Sequence, residues 1–548
     1  MYKKLSLVLL TVFAAFVLVA CSGDNETVTN NNEEASTTAP AGENVEAPEV
    51  DVLDTDGVVV DRHLNVAMPA FPQSMDPTAI NEIQSSLINT QMYETLVTRT
   101  YDMEIVPALA TSWERIDDYT VEFHLREGVY FHNGEPFTAQ DVVFSLTRSQ
   151  AHPITQAIMG VIDPNGFEVI DDHTVRISTT EPFAPLIPFL GHNTAFIVSQ
   201  VAAEYYGDDF ANNPIGTGPF MFDSQVHGDS ITLVRNENFH GELPQISGIN
   251  FRIIPEPAQR LVGLRTGELD LSFDLAPADA LTVLNDDDVV LHDRVNNQVR
   301  YISLNVHREP FDDVRVRQAF NYVIDTELLI ETILEGFGEP AVGPISGNMP
   351  LTSRDVTLPT WNVARAQELM AEAGHADGFS ITMHVHNAVN QNLAIAISDM
   401  LSDINVDVDI VQLESAAFFD VINGVNTADG ENGDWDTFII QFNPGTGDED
   451  NMYRAMFHSE NAVVNGATTN RNSFILDEVD GLIDAGSVEF DETARAAIYA
   501  QLQALLLEES PWVFLDAGVF LHASRNNVRG YTVRLNGQQT LQHVYIVE

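Results

Sequence analysis

Residues 126–143 read REGVYFHNGEPFTAQDVV, and this stretch follows a segment with the pattern of a β-strand. Residues 119–125 alternate between apolar and polar side chains, which predicts a half-buried β-strand. Asn133-Gly134 is a turn signal, since both residues tolerate the backbone angles of tight turns. We expect structural roles, in turns and helix caps, for His124, His132 and Asp141.

The middle of the chain predicts a β-α-β unit. Residues 363–373 have a helical pattern, with Asn362 as N-cap and Gly374 just past the C-terminal end. Residues 379–386, 391–403 and 406–413 then indicate strand, helix and strand. That order implies two parallel strands joined by a crossover helix, so the fold is mixed α/β.

A late helix is predicted over residues 492–508. Its expected apolar face consists of Ala494, Ile498, Leu502, Leu505 and Leu506.

Composition excludes several classes of protein. The chain has 548 residues, 81 acidic against 25 basic side chains, a formal net charge of −56 and one cysteine. At 44% hydrophobic residues it is too apolar for a disordered acidic chain, and it is long enough for more than one packed domain. Such negative charge opposes binding to nucleic acid or anionic lipid through a basic face, and one cysteine allows neither an internal disulfide nor a CxxC metal site.

The N-terminus has the pattern of a secretion signal. Lys3 and Lys4 precede the apolar residues 5–20, which are too few to span a membrane but typical of a signal peptide. Leu18-Val19-Ala20-Cys21 resembles a bacterial lipobox, in which the cysteine is lipidated after cleavage. We therefore predict a signal peptide at 1–20 and lipidation of Cys21; an ordinary signal peptide with a chance cysteine is the alternative. Residues 21–61, acidic and without basic residues, are predicted to be a disordered tether.

Beyond residue 62, motifs in order along the chain resemble the extracytoplasmic solute-binding proteins of ABC importers, specifically the peptide/nickel-binding class known as family 5. The resemblance extends from about residue 63 to residue 534, and residues 123–143 are its most specific part. The other motifs are Ser74-Met75-Asp76-Pro77, Tyr93-Glu94-Thr95-Leu96-Val97, Pro107-Ala108-Leu109-Ala110-Thr111-Ser112-Trp113-Glu114, Gly216-Thr217-Gly218-Pro219-Phe220, Gly267-Glu268-Leu269-Asp270 and Pro310-Phe311-Asp312-Asp313-Val314-Arg315-Val316-Arg317-Gln318-Ala319.

This resemblance implies a two-lobed, class II periplasmic-binding-protein-like α/β fold. Lobe one would comprise residues 62–302 and 516–548, with an extra subdomain at 95–188, and lobe two residues 303–515. Two strands, near residues 301–305 and 513–516, would cross between the lobes as a hinge. A ligand would bind in the cleft and the lobes would close over it.

The resemblance also indicates which residues line the cleft. By alignment with the family, the expected ligand contacts are Asn81, Glu82, Ile83, Tyr301, Ser303, Ser415, Gln441, Phe442 and Gly445. Gly445 stands where peptide-binding members carry an aspartate that holds the ligand's α-amino group. Asp448 and Asp516 are the candidate replacements for that carboxylate. The aligned residue for an arginine of some oligopeptide binders is Ile439, so the site is predicted to be more neutral and apolar than usual.

The sequence leaves alternatives to a peptide ligand. His384 and His386 share a strand face and could ligate a metal, but no third ligand is evident by spacing, so a polar strand face is preferred. A nickel chelate or an oligosaccharide is the alternative ligand, and an extracellular hydrolase is a distant alternative, since the sequence contains no catalytic motif. The expected partners are a peptide-like solute, an ABC permease and ATPase complex, and the membrane through a lipid anchor. We expect a monomer with no cofactor, tethered outside the cell membrane, with a Gram-positive surface slightly preferred over a periplasm.

Lysine is absent after Lys4, so every later formal positive charge is on arginine. Arginine stays charged at pH values where lysine begins to lose its proton. The exterior is therefore predicted to suit alkaline or salty surroundings, with compositional drift as the alternative.

Overall fold

The computed structural model describes residues 57–79, 82–356, 358–426, 431–433, 435–465 and 469–548. The predicted signal peptide, the lipidation site at Cys21 and the tether up to residue 56 lie outside the described residues, as does Asn81. Among the helices that are described, none has both the length and the apolar character required to cross a membrane.

The fold is a mixture of strands and helices. The strands are His63–Met68 (β1), Val97–Arg99 (β2), Ile105–Pro107 (β3), Ala110–Arg115 (β4), Thr120–Leu125 (β5), Ile162–Asp171 (β6), Thr174–Thr179 (β7), Phe220–Val226 (β8), Ser230–Arg235 (β9), Gly248–Ile253 (β10), Leu271–Ser272 (β11), Val289–Leu304 (β12), Glu339–Pro340 (β13), Phe379–Val385 (β14), Val406–Gln412 (β15), Val425–Asn426 (β16), Glu431–Asn432 (β17), Thr437–Phe442 (β18), Trp512–Arg525 (β19), Val528–Arg529 (β20) and Tyr545–Ile546 (β21). The helices are Ile83–Met92 (α1), Ala139–Ala151 (α2), Pro153–Met159 (α3), Leu186–Phe189 (α4), Gln200–Tyr206 (α5), Pro257–Thr266 (α6), Pro277–Val283 (α7), Val314–Val323 (α8), Thr326–Thr332 (α9), Val363–Glu372 (α10), Ala388–Ser402 (α11), Ser415–Asn423 (α12), Glu449–Phe457 (α13), Asp477–Val488 (α14) and Glu492–Glu509 (α15).

The predicted local elements form where the sequence placed them. β5 alternates between buried and half-buried residues, and α10 begins at the predicted cap, where Asn362 accepts a hydrogen bond from the Arg365 backbone. Gly374, just past the helix, has a positive φ of 86°. β14 and β15 pair in parallel with α11 between them, which confirms the β-α-β prediction.

The late helix α15 matches the predicted span, but the predicted apolar face is only partly confirmed. Its buried residues are Arg495, Tyr499, Leu502, Gln503 and Leu506. Leu502 and Leu506 belong to the predicted face, whereas Ala494, Ile498 and Leu505 are only half-buried. The face is rotated because Arg495 and Gln503 are buried through hydrogen bonds to Asp448 and to the Val342 carbonyl.

Two large sheets organise the molecule. An eleven-stranded sheet has the order β15-β14-β18-β12-β19-β11-β1-β10-β9-β8, with β13 added to β19. A separate four-stranded antiparallel sheet, β4-β5-β7-β6, is formed by residues within 110–179. It carries its own cluster of buried hydrophobic side chains, including Phe123.

The long strands β12 and β19 connect different hydrophobic clusters of the described chain. β12 starts at Val289, which packs in the cluster of Ala67, and ends in the cluster of Ile381. β19 starts at Trp512, in the cluster of Trp435, and runs back to the cluster of Ala67. The two strands pair antiparallel, and their register shifts between residues 295 and 299 of β12. Two adjacent strands therefore run from one set of cores to another.

Candidate ligand-binding cleft

A cavity of about 590 Å³ lies among segments that are far apart in sequence. Its walls come from the start of α1, from residues around α3 and α4, from β18 with the loop and helix after it, and from the loop at 536–538. Side-chain carboxamides are the dominant polar groups in the lining. They are Gln84, Asn193, Gln298, Gln441, Asn443, Asn451, Asn461, Asn536 and Gln538.

The charged groups of this cleft are largely engaged by the protein itself. Glu82 caps α1 by accepting hydrogen bonds from the backbone of Gln84 and Ser85 at 2.6 and 2.8 Å. Arg454 Nε lies 3.2 Å from the buried carboxylate of Asp450, and its Nη1 lies 3.1 Å from Asp484. Burial raises the pKa of Asp450 while Arg454 opposes that shift. The cleft thus offers mostly neutral donors and acceptors.

Gln441, predicted as a ligand contact, lies in the lining and reaches a buried ion pair. With its amide group in the orientation that satisfies both partners, the Gln441 oxygen would accept from Arg300 Nε at 3.2 Å. Arg300 Nη1 lies 3.2 Å from Asp516 Oδ1, and both side chains are almost fully buried. Burial raises the pKa of Asp516, and the nearby guanidinium opposes the shift. The structure therefore places Asp516 against Arg300, and Gln441 between that pair and the cleft.

Tyr301 and Ser303 lie on β12 but are buried, at 2% and 1% exposure. The Tyr301 ring stacks on Trp512 at a centroid distance of 3.4 Å, and burial raises the pKa of Tyr301 to about 12. Ser303 Oγ has no hydrogen-bond partner among the described residues. Neither residue is part of the cleft lining, and Tyr301 instead packs in the cluster of Trp435.

Asp448 is used by the protein in a way the sequence did not indicate. It caps α13 by accepting from the Asp450 backbone at 2.9 Å, and it binds Arg495 through two hydrogen bonds of 2.7 Å. With 4% exposure it lies outside the cleft lining. Ser415, at the start of α12, is exposed and also lies outside the lining.

Gly445 lies in the cleft wall in close contact with His192. A Cβ atom at position 445 would lie 2.6 Å from His192 Nε2. The Thr194 backbone donates to His192 Nδ1 at 3.2 Å, so the proton of the neutral ring is on Nε2. Burial and the positive charge of Arg99 lower the pKa of His192 to about 3. The aspartate that the family resemblance leads us to expect at position 445 would overlap this ring, and a neutral N–H donor lies there instead.

His384 in β14 and His386 directly after the strand divide between core and cleft. His384 is buried, which corrects the expectation of an open polar face, and His386 lines the cleft with its ring 4.6 Å from that of Phe418. Within the part of the chain that the structure describes, no group of three or more His, Cys, Asp or Glu side chains is arranged to hold a metal ion.

The comparison with protein families agrees with the motifs. Residues 104–463 match the bacterial extracellular solute-binding proteins, family 5. The chain belongs to that family.

Relatives of this family 5 protein include proteins named for binding glutathione and dipeptides. The glutathione-binding protein GsiB of Pectobacterium atrosepticum is 28% identical over 482 residues, covering 85% of this chain and 91% of its own length. The dipeptide-binding protein of Escherichia coli is 28% identical over 473 residues, covering 81% of this chain and 86% of its own length. The ABC transporter-associated periplasmic binding protein DppA of Helicobacter pylori, solved with the peptide STSA, has a TM-score of 0.78 at 26% identity and covers 89% of this chain and 99% of its own.

Membership confirms several expectations. The family 5 protein has the predicted mixed α/β fold of these binding proteins, and it is an extracellular solute-binding protein. The family consists of binding proteins and not of enzymes, so the hydrolase alternative is set aside.

Some cleft residues of this family 5 protein were not predicted from the sequence. They include His192, Asn193, His386, Phe419 and Arg454. None of them carries a local motif, because each reaches the cleft only through long-range packing. The position of His386 at the end of a predicted strand could have indicated the cleft, but the sequence analysis interprets it as part of a polar strand face.

Proposed function

We propose that this chain captures a peptide-like solute in the 590 Å³ cleft and delivers it to an ABC importer. The single observation that carries the proposal is this cavity, formed by distant segments and lined by carboxamides that can bond both N–H and C=O groups of a peptide backbone. The names of the related glutathione-binding and dipeptide-binding proteins support the same class of ligand. The proposed contacts from the predicted set are Glu82, Ile83, Gln441, Phe442 and Gly445.

Delivery would depend on two lobes that close around the ligand. The proposed lobes are residues 62–302 with 516–548, and residues 303–515, with residues 95–188 as the extra subdomain. The antiparallel pair β12 and β19, with its irregular register near residues 295–299, supports a hinge slightly N-terminal to the predicted boundary. Closure would let the permease distinguish the loaded receptor from the ligand-free one.

A lipid anchor at Cys21 is the second part of the proposal. Removal of residues 1–20 would leave Cys21 as the acylated N-terminus, and two or three acyl chains give a stable membrane anchor. Replacing Cys21 by serine should release the protein from the membrane fraction, measured by fractionation after labelling with a fatty-acid analogue. Equal membrane retention of the serine variant would contradict the anchor.

Binding is tested with residues 22–548. Thermal shift is measured with pools of di- to pentapeptides, with oligosaccharides and with nickel chelates. A shift with peptides supports the proposal. A shift with sugars or chelates alone would overturn the peptide assignment and leave a receptor for another solute. The carboxamide-rich lining is compatible with sugar hydroxyls, which keeps the oligosaccharide as the second candidate.

A further inference from the structure

A second cavity, of about 120 Å³, shares one wall residue with the cleft. Gln538 lines both cavities, and its buried Nε2 has no hydrogen-bond partner among the described residues. This volume is several times the minimum that a water molecule needs, so it can hold a group the size of a carboxylate. The small cavity is therefore a candidate extension of the ligand site.

Arg534 lines this small cavity with its charge uncompensated. Its buried Nε has no partner, and no side-chain hydrogen bond or ion pair joins its guanidinium to any described residue. Its contact is with the ring of Tyr101, 5.5 Å from the guanidinium carbon. Burial lowers the pKa of Arg534. Arg534 is half-buried, so an anion can reach a guanidinium whose donors the described residues leave unused.

The backbone of Arg534 is held firmly, which fixes where its side chain starts. The buried Gln539 side chain accepts from the Arg534 N–H at 2.8 Å and donates to its carbonyl at 3.0 Å. Glu94, the other charged residue of this cavity's lining, is already occupied, since His240 Nε2 lies 2.9 Å from it. Arg534 is therefore the charged side chain of this lining whose donors the described residues leave unused.

We propose that Arg534 and Gln538 form a carboxylate subsite, which binds the carboxyl end of the solute held in the cleft. The guanidinium supplies charged donors in a fork, and the Gln538 amide adds a neutral donor on the wall facing the cleft. The inference rests on the proposed peptide function in naming the ligand's own carboxylate. The anion subsite itself follows from the cavity and the unpaired arginine.

The test has two arms. In the first, the melting temperature of residues 22–548 is measured in sodium acetate and in sodium chloride at equal ionic strength. We expect acetate to raise it more in the wild type than in Arg534→Gln. Arg529→Gln, which removes the same charge from an exposed position, is the control and should behave as the wild type. An equal acetate effect in all three proteins would overturn the subsite.

In the second arm, wild-type protein is titrated with a tripeptide pool carrying free carboxyl termini and with the same pool amidated. We expect the acids to bind about tenfold more tightly or better, as for a charge-assisted hydrogen bond, and Arg534→Gln to lose this preference. Binding without any acid preference would overturn the assignment to the ligand's carboxylate. If neither pool binds while the acetate effect persists, the peptide function fails and the anion subsite survives.

Discussion

At the scale of single residues, Gly445 and His192 decide the chemistry of one part of the cleft. They are 253 positions apart in the chain, and the absence of a side chain at 445 lets the imidazole lie against the backbone. His192 is neutral because burial lowers its pKa to about 3, so it offers an N–H donor and not a charge. This point of the cleft therefore suits a ligand acceptor better than an ammonium group.

Replacing Gly445 by alanine is expected to destabilise the fold by about 1–3 kcal/mol, because the new Cβ would overlap His192 Nε2. The measurement is the free energy of unfolding in urea. Gly481→Ala is the matched control, since a Cβ there meets no other atom within 4 Å. Adding His192→Ala to Gly445→Ala should recover part of the lost stability, because it removes the ring that the new Cβ overlaps. A Gly445→Ala protein as stable as its control would contradict the close contact.

At the scale of elements, the start of α13 concentrates buried acidic groups. Asp448 is neutralised by Arg495 and Asp450 by Arg454, while Glu449 accepts a hydrogen bond from the Leu351 backbone at 2.5 Å. Burial, and then the nearby Asp448 carboxylate, raise the pKa of Glu449 to about 8. Glu449 therefore holds its proton more firmly in the folded state than in the unfolded chain.

Glu449 should make stability depend on pH in a defined direction. The contribution of Glu449 to the free energy of unfolding is fully present below about pH 4.5. It is lost as pH rises through about 8, because the folded state binds a proton that the unfolded chain has released. We expect Glu449→Gln to be more stable than the wild type at pH 9 by on the order of a few kcal/mol, and similar at pH 4.5. Unfolding in urea at both pH values measures this, with the exposed Glu478→Gln as control. The same pH dependence in wild type and Glu449→Gln would contradict a protonated Glu449.

Elements were easier to predict than the site. The span and cap of α10 follow from local chemistry, since Asn362 and Gly374 act on their own helix. The buried face of α15 does not follow from local chemistry. Apolar periodicity cannot show that Arg495 is buried against Asp448, a partner 47 positions away. Asp448 was predicted as a ligand anchor for the same reason: its acidic character is visible in the sequence, but its arginine partner is not.

At the scale of the whole molecule, charge is the dominant feature. With 81 acidic and 25 basic residues, the protein repels itself electrostatically, and its arginines form paired contacts such as Arg62 with Asp270 at 2.7 Å. Because arginine stays charged where lysine is lost, these pairs should persist in alkaline medium. We therefore propose that the charge is an adaptation to the protein's surroundings more than to its ligand.

The melting temperature should therefore change little between pH 9 and 10.5, above most of the range in which Glu449, with a pKa of about 8, titrates. Moderate salt should raise it by screening the repulsion among the acids. Arg62→Lys is the matched comparison and should lose stability towards pH 10.5, as lysine approaches its pKa of about 10.4. A marked fall of the wild-type melting temperature by pH 9.5 would contradict the proposed adaptation.

The central claim is that the cleft carries a peptide-like solute. The most direct test is mass spectrometry under native conditions on the protein purified from its own cells, followed by release and sequencing of whatever it carries. We predict a bound peptide or peptide-like molecule with a free carboxylate, in one copy per chain. A chain that carries only an oligosaccharide or a nickel chelate would contradict the claim.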